Sequence, residues 1–276
     1  MLTALKRKIP IKPFMAAYLG LLFTFSVIMR GNIVWFVKGI AIVALYSAFD
    51  LIWTKIRDRI WYLPVSSWIS GCILCIVALP NPPWTLIVVL PLIAVAAKHL
   101  LHFGKSRHVF NPAASAMVVA SIFVPTVSWW AVSWGNIPLA IVSVVGLFIL
   151  WRQQRWHTVL AFVASFALSL WMLTLVTMHT LAITDLWTFL RIILTDGTTV
   201  FFMTVMLIEP ITSGFPTRWQ RTVYGALVGI FAVFIPFVLA KFAPTNIDPL
   251  LLGLLAGNLV AGLVFLPRKA KRAVST

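Results

Sequence analysis

The chain has 276 residues, 61% of them hydrophobic and only 10% charged, with a mean hydropathy of +1.01. A soluble domain carries about 25% charged residues, so the composition excludes that class and points to an all-α integral membrane protein. The formal charge of +16 would suit nucleic acid. The basic residues, however, sit in short loops between apolar runs, where they set topology instead.

Apolar runs of about 17–25 residues, the length of a bilayer crossing, lie near 14–29, 33–53, 64–80, 84–103, 110–128, 136–151, 157–178, 187–209, 220–240 and 248–267. Some are short, and the third and fifth could instead be re-entrant or broken. No cleavable signal segment is expected ahead of the first. With the N-terminus inside, eighteen of the 22 Lys and Arg fall on the cytoplasmic side. These include Lys6–Lys12, Lys55–Arg59, Lys98–Arg107, Arg152, Arg155, Arg218, Arg221 and Arg268–Arg272. Only Arg30 and Lys241 fall outside, and Lys38 and Arg191 lie within runs. Such asymmetry over short loops predicts ten spans with both termini cytoplasmic.

Ten spans divide into two five-span halves, residues 1–130 and 131–276. An odd number per half gives the second half the opposite orientation, the inverted repeat of many membrane proteins that hold a site at mid-bilayer. The punctuation agrees. Ser70-Gly71 and Leu79-Pro80-Asn81-Pro82-Pro83-Trp84 in the third run have counterparts in the eighth, Asp196-Gly197 and Glu209-Pro210. Phe110-Asn111-Pro112-Ala113-Ala114 lies between them. Pro and Asn at membrane depth are costly unless the backbone they interrupt is buried in protein. Broken helices around a central cavity are therefore expected.

These blocks resemble the membrane-subunit family shared by the Rnf ferredoxin:NAD electron-transport complex and the sodium-pumping NADH:quinone reductase, Nqr. Ser70-Gly71-Cys72-Ile73-Leu74 with Leu79–Trp84 is similar to its Thr/Ser-Gly-x-x-Leu…Leu-Pro-Pro-x-x-Pro-Trp element. Lys98-His99-Leu100-Leu101 with Phe110–Ala114 resembles Lys-x-hydrophobic…Phe-Asn-Pro-Ala-Ala. Phe201-Phe202-Met203-Thr204 through Glu209-Pro210-Ile211-Thr212-Ser213 resembles Phe-Phe-Met-x-Thr-Asp-Pro-Val-Thr-Ser, with Glu209 in place of the family Asp. Arg221-Thr222-Val223-Tyr224-Gly225 with Gly229 resembles Gly-Arg-x-x-Tyr-Gly-x-x-x-Gly, and Asn258 closes the last span.

The chain departs from the family between its fifth and sixth spans. Thr126–Gly135 lacks the Asp-Gly-x-Thr-Gly-Ala-Thr-like loop whose last Thr carries a covalent flavin mononucleotide. The nearest string, Asp196-Gly197-Thr198-Thr199, lies in the eighth run without that spacing. The resemblance thus implies a compact member holding a flavin, FMN or riboflavin, non-covalently. It implies partners among the other membrane, flavoprotein and iron–sulfur subunits of a redox complex, and a place in the bacterial inner membrane.

Candidate site residues follow. Asp196, in mid-span, should face protein or water, either as a cation, proton or flavin contact or as an internal pair with Arg191. Glu209, before Pro210, is either an interfacial partner of Arg218 or Arg221 or a cofactor ligand. Asn111 ahead of Pro112 is biased away from helix and either caps the next helix or lines the central site. Lys105 and Arg107 nearby could take a phosphate or a partner's carboxylate, and Lys98, Thr199, Ser70 and Gly71 complete the candidate set. Cys72 and Cys75 offer half an iron–sulfur ligand set, or simple apolar packing. His99, His102 and His108 suit an interfacial belt. A small-solute, flavin or ion transporter is the rival reading, because inverted repeats serve that class equally.

Overall fold

A computed structural model describes residues 10–103, 107–124, 128–177, 186–242 and 246–266, and within them helices joined by loops and one short hairpin make up the fold. Helix α1 spans Ile11–Arg30 and stops at Gly31, whose left-handed backbone (φ 62°) returns its N–H to Ile28 O, a conformation Gly adopts without a Cβ penalty. Asn32 then caps α2 (Ile33–Asp58) by accepting the Trp35 amide at 3.0 Å. Helices α3 (Val65–Val77) and α4 (Trp84–Leu100) follow. The hairpin pairs β1 (His102–Phe103) with β2 (Arg107–His108) and leads into α5 (Pro112–Phe123). Beyond lie α6 (Asn136–Gln153), α7 (Trp156–Thr177), α8 (Leu186–Thr195) and α9 (Gly197–Phe201), the last running into a π turn over Phe202–Met206. The short α10 (Pro210–Ser213), then α11 (Arg218–Leu239) and α12 (Pro249–Phe265), complete the described chain.

Five helices, α1, α2, α6, α7 and α11, are long and apolar enough to cross a membrane, and a sixth crossing results if α8 and α9 with its π turn count as one bent span. Helices α3, α4, α5 and α12 are apolar but shorter. The third run, expected over 64–80, is helical only to Val77, and the fifth, expected over 110–128, only from Pro112 to Phe123. The eighth run is not one helix. It bends by 71° at Asp196, because the Asp196 carboxylate caps a new helix by accepting the Thr198 and Thr199 amides. Gly197 permits the bend, since a Cβ there would sit 2.2 Å from Val132 O.

Helix α3 packs against α1 and α2, α2 against α4, and α4 against α5. Farther along, the α9 segment packs against α6, α8 against α7, α7 against α11, and α11 against α12. Helices α5 and α12 meet between the two groups. The centre is filled by Leu74, Ile76, Met117, Phe201, Phe202 and Met206, all with no exposed surface. Lipid tails are as apolar as these side chains, so association of the helices rests on close packing. At Gly225 a Cβ would lie 2.1 Å from Thr158 O, so α7 and α11 touch backbone to backbone.

Short helices leave carbonyls that bilayer hydrocarbon cannot satisfy. At the end of α3, the segment 128–131 pairs with it edge to edge. The Trp129 and Trp130 amides reach Val77 O at 2.7 and 3.2 Å, and the Ala131 amide reaches Ile76 O at 2.6 Å. At the opposite end of the bundle, which we call the basic face, arginine side chains take this role for the loop after α10.

Candidate functional site

The strongest polar assembly on the basic face centres on Asp50 of α2, whose side chain is fully buried. A carboxylate without solvent must be met by donors, and four side chains from three elements supply them. Lys98 Nζ lies 2.8 Å from Oδ2 and His99 Nε2 2.5 Å from Oδ1. The Ser67 hydroxyl donates to Oδ2 at 2.5 Å and the Tyr62 hydroxyl also donates to Oδ2. Lys98 donates as well to Ser66 Oγ at 3.1 Å. The Tyr62 phenol, in the loop before α3, is pushed up to about 12 by burial and by the adjacent Asp50. The other face of this cluster meets solvent through Arg57, whose NH1 lies 3.3 Å from His99 Nδ1. A guanidinium only donates, so His99 meets it with an unprotonated Nδ1 and keeps its proton on Nε2 for Asp50.

A groove of about 510 Å³ opens beside this cluster, between α2 and α4. Phe49, Trp53, Ile56, Leu92 and Val95 line it, with Arg57 at the rim. Trp53 is stacked on the His99 ring, centroids 5.7 Å apart. The volume falls within the range of small-molecule sites.

A second cluster forms where α5 begins and α10 begins. Asn111 does two jobs. Its Oδ1 accepts the Ala114 amide at 3.0 Å, and its Nδ2 donates to Glu209 Oε2 at 3.0 Å. Pro112 occupies the first helical position, where its missing N–H costs nothing. Glu209 also accepts from Thr212 Oγ1 at 3.0 Å, and its Oε1 lies 3.5 Å from His108 Nε2. The carboxylate therefore answers neither Arg218 nor Arg221 in the described contacts. Arg107 donates to Thr212 O at 2.6 Å and Gly214 O at 3.3 Å, with its guanidinium 4.7 Å above the Phe215 ring.

The remaining candidates lie elsewhere. The Asp196 carboxylate is occupied by its own helix turn, including Thr199 Oγ1 at 2.7 Å, and is not paired with Arg191. Thr199 is buried, with its hydroxyl committed to that bond. Gly71 sits within continuous α3, where a Cβ would meet Val43 Cα at 3.1 Å, and Ser70 lies beside the Tyr46 hydroxyl. Lys105 lies outside the described residues. Cys75 Sγ donates to Gly39 O at 3.3 Å, and no group of metal-binding side chains occurs among the described residues. In the described contacts Lys98 joins Asp50, Asn111 joins Glu209, and Asp196 joins Thr199.

Away from the basic face, Asp248 caps α12 through the Leu250 and Leu251 amides and accepts Trp130 Nε1 at 2.5 Å. Lys38 donates to Asn81 Oδ1 at 2.5 Å and Pro82 O at 2.8 Å.

Asp50, Tyr62 and Ser67 are absent from the sequence-derived candidates, and His99 enters there only as part of an interfacial belt. The signal was present for Asp50, since the rule that singles out Asp196, an acid inside an apolar run, applies to it equally. No protein-family model matches the chain, and no curated protein matches it.

Proposed function

We propose that this chain is a ten-span membrane subunit of an Rnf- or Nqr-like electron-transport complex, built as two inverted five-span halves and holding a flavin non-covalently. The repeat is supported by matching packing, because the third segment of each half contacts the first and second, the second contacts the fourth, and the fourth contacts the fifth. In this reading the membrane is a bacterial inner membrane, and the positive-inside asymmetry supports a cytoplasmic basic face with both termini on that side.

The observation that carries the cofactor assignment is the 510 Å³ groove beside the Asp50 cluster. Trp53 and Phe49 offer aromatic faces to an isoalloxazine ring, and Arg57 offers N–H donors at the rim to its polar edge. A bound flavin supplies the redox chemistry, and the protein's part is to place and orient it. Trp53 is held by its stack on His99, which Asp50 fixes in one tautomer. Electrons would pass to and from flavoprotein or iron–sulfur partner subunits.

The test is the colour of the purified protein. Yellow protein that releases flavin on denaturation, and Trp53→Ala protein that folds but is depleted of flavin at least tenfold, are expected. Flavin retained in full by Trp53→Ala would move the site elsewhere, and colourless protein would remove it. The second reading, a small-solute or ion transporter, is favoured by polar caps at opposite ends of the bundle, Asn111 with Glu209 and Asp248 with Trp130. Colourless protein that drives uptake into vesicles is its signature.

A further inference from the structure

Three guanidiniums converge on the loop after α10. Arg107 donates to Thr212 O and Gly214 O, Arg155 to Ser213 O at 3.1 Å, and Arg221 to Phe215 O at 2.7 Å and Pro216 O at 3.0 Å. Consecutive carbonyls from 212 to 216 thus hold three like charges within one turn of chain. Their proximity is felt at Arg155, which burial and then Arg221 and Arg107 push down to about 10. Carbonyls supply dipoles but no counter-charge.

The chain has six acidic residues, and none of the described ones serves these arginines. Asp58 pairs with Arg57, Asp50 with Lys98 and His99, and Glu209 with Asn111, Thr212 and His108. Asp196 and Asp248 cap helices elsewhere, and Asp185 lies outside the described residues. Three guanidiniums carry about fifteen N–H donors, of which these carbonyls take a minority. Trp219 is 72% exposed next to this loop and Trp156 borders it. Exposed Trp at this position marks the headgroup level of a bilayer.

We propose that Arg107, Arg155 and Arg221 form a binding site for a phosphate oxyanion, supplied by the headgroup of an anionic phospholipid or by a soluble phosphate compound. Guanidinium forks match phosphate geometry and bind it with charge-assisted hydrogen bonds. The bound anion would neutralise the cluster and lock the 212–216 loop against β2 and α11. The site is independent of the flavin groove, and its test does not require flavin.

The experiment uses full-length protein, delipidated in neutral detergent, with thermal unfolding followed by tryptophan fluorescence. It is titrated separately with phosphatidylglycerol, phosphatidylcholine, inorganic phosphate and chloride at matched ionic strength. Phosphatidylglycerol or phosphate should raise Tm by several degrees beyond its control, as ligand binding to the folded state requires. Arg155→Gln should weaken that apparent affinity at least tenfold, whereas Lys12→Gln, an exposed basic residue elsewhere, should leave it unchanged. A shift with phosphatidylglycerol alone identifies a lipid headgroup, and a saturating shift with inorganic phosphate identifies a soluble ligand. If Arg155→Gln does not fold, Arg221→Gln carries the same comparison. Equal Tm with phosphatidylglycerol and phosphatidylcholine, together with equal Tm in phosphate and chloride, overturns the site. So does wild-type affinity in both glutamine variants.

Discussion

Removing the charge of Asp50 is the most demanding test of the basic-face architecture. Its carboxylate is 0% exposed, while the Lys98 and His99 side chains retain 17% and 7% exposure. Breaking a buried ion pair from one side costs about 3–5 kcal/mol, because the partner charge is left uncompensated. Asp50→Asn keeps the volume and one acceptor oxygen, and Lys98 is exposed enough to reach water. The lower bound, about 3 kcal/mol, is therefore expected, roughly a hundredfold in the folding equilibrium. Lys98→Met alone leaves Asp50 with His99, Ser67 and Tyr62, so it should cost about 2 kcal/mol. The double variant removes both charges and should be more stable than the sum of the single losses by about 1–2 kcal/mol. Unfolding in mixed micelles titrated with sodium dodecyl sulfate reads all four proteins on one scale. If the two losses add to within about 0.5 kcal/mol, the pair is uncoupled and the reasoning from burial fails.

Further expectations follow from single features. Gly197→Val places a branched side chain against Val132 O, 2.2 Å from where its Cβ must sit; it should cost about 1–3 kcal/mol, read as lost Tm, and full stability would mean the bend is not fixed by that contact. The Tyr62 phenol is raised from 10.0 to about 12, so its contribution is complete below pH 10 and is lost as pH rises toward 12. Ultraviolet titration of wild type against Tyr62→Phe should show that late ionisation, and it should return toward 10 in Asp50→Asn. With Cys72 and Cys75 replaced by Ala, a Cys at Ser133 should react with a membrane-impermeant reagent from outside, and a Cys at Arg218 should not; the reverse pattern would invert the topology. Denatured protein on a gel should show no flavin fluorescence, and a fluorescent band abolished by Thr199→Ala would establish a covalent link instead.

How far the sequence could be read depends on the range of each interaction. The Asn-Pro pair at 111–112 announces a cap and a helix start, both of which are local, and the structure has them. The bend at Asp196 was equally local, since Asp-Gly after an apolar run is a helix-start signal. Hydropathy outweighed it there, because an Asp in an apolar run reads first as a buried charge. Asp50 is the reverse case. Its run gives no break, and its partners Lys98 and His99 lie 48 and 49 residues away, a pairing that only the α2–α4 contact creates. The arginine clamp on 212–216 was illegible for a different reason, since backbone carbonyls leave no mark in the sequence.

The edge pairing between the end of α3 and segment 128–131 has a mechanical consequence. It ties the end of α3 to the segment leading into α6 with three backbone bonds. Moving α6 away from α3 would shear this seam and strip the Ile76 and Val77 carbonyls of their partners. Each such group costs on the order of several kcal/mol. The fold is therefore stiff along the seam between α3 and the start of α6. Stiffness there holds the end of α3 at a fixed distance from the start of α6.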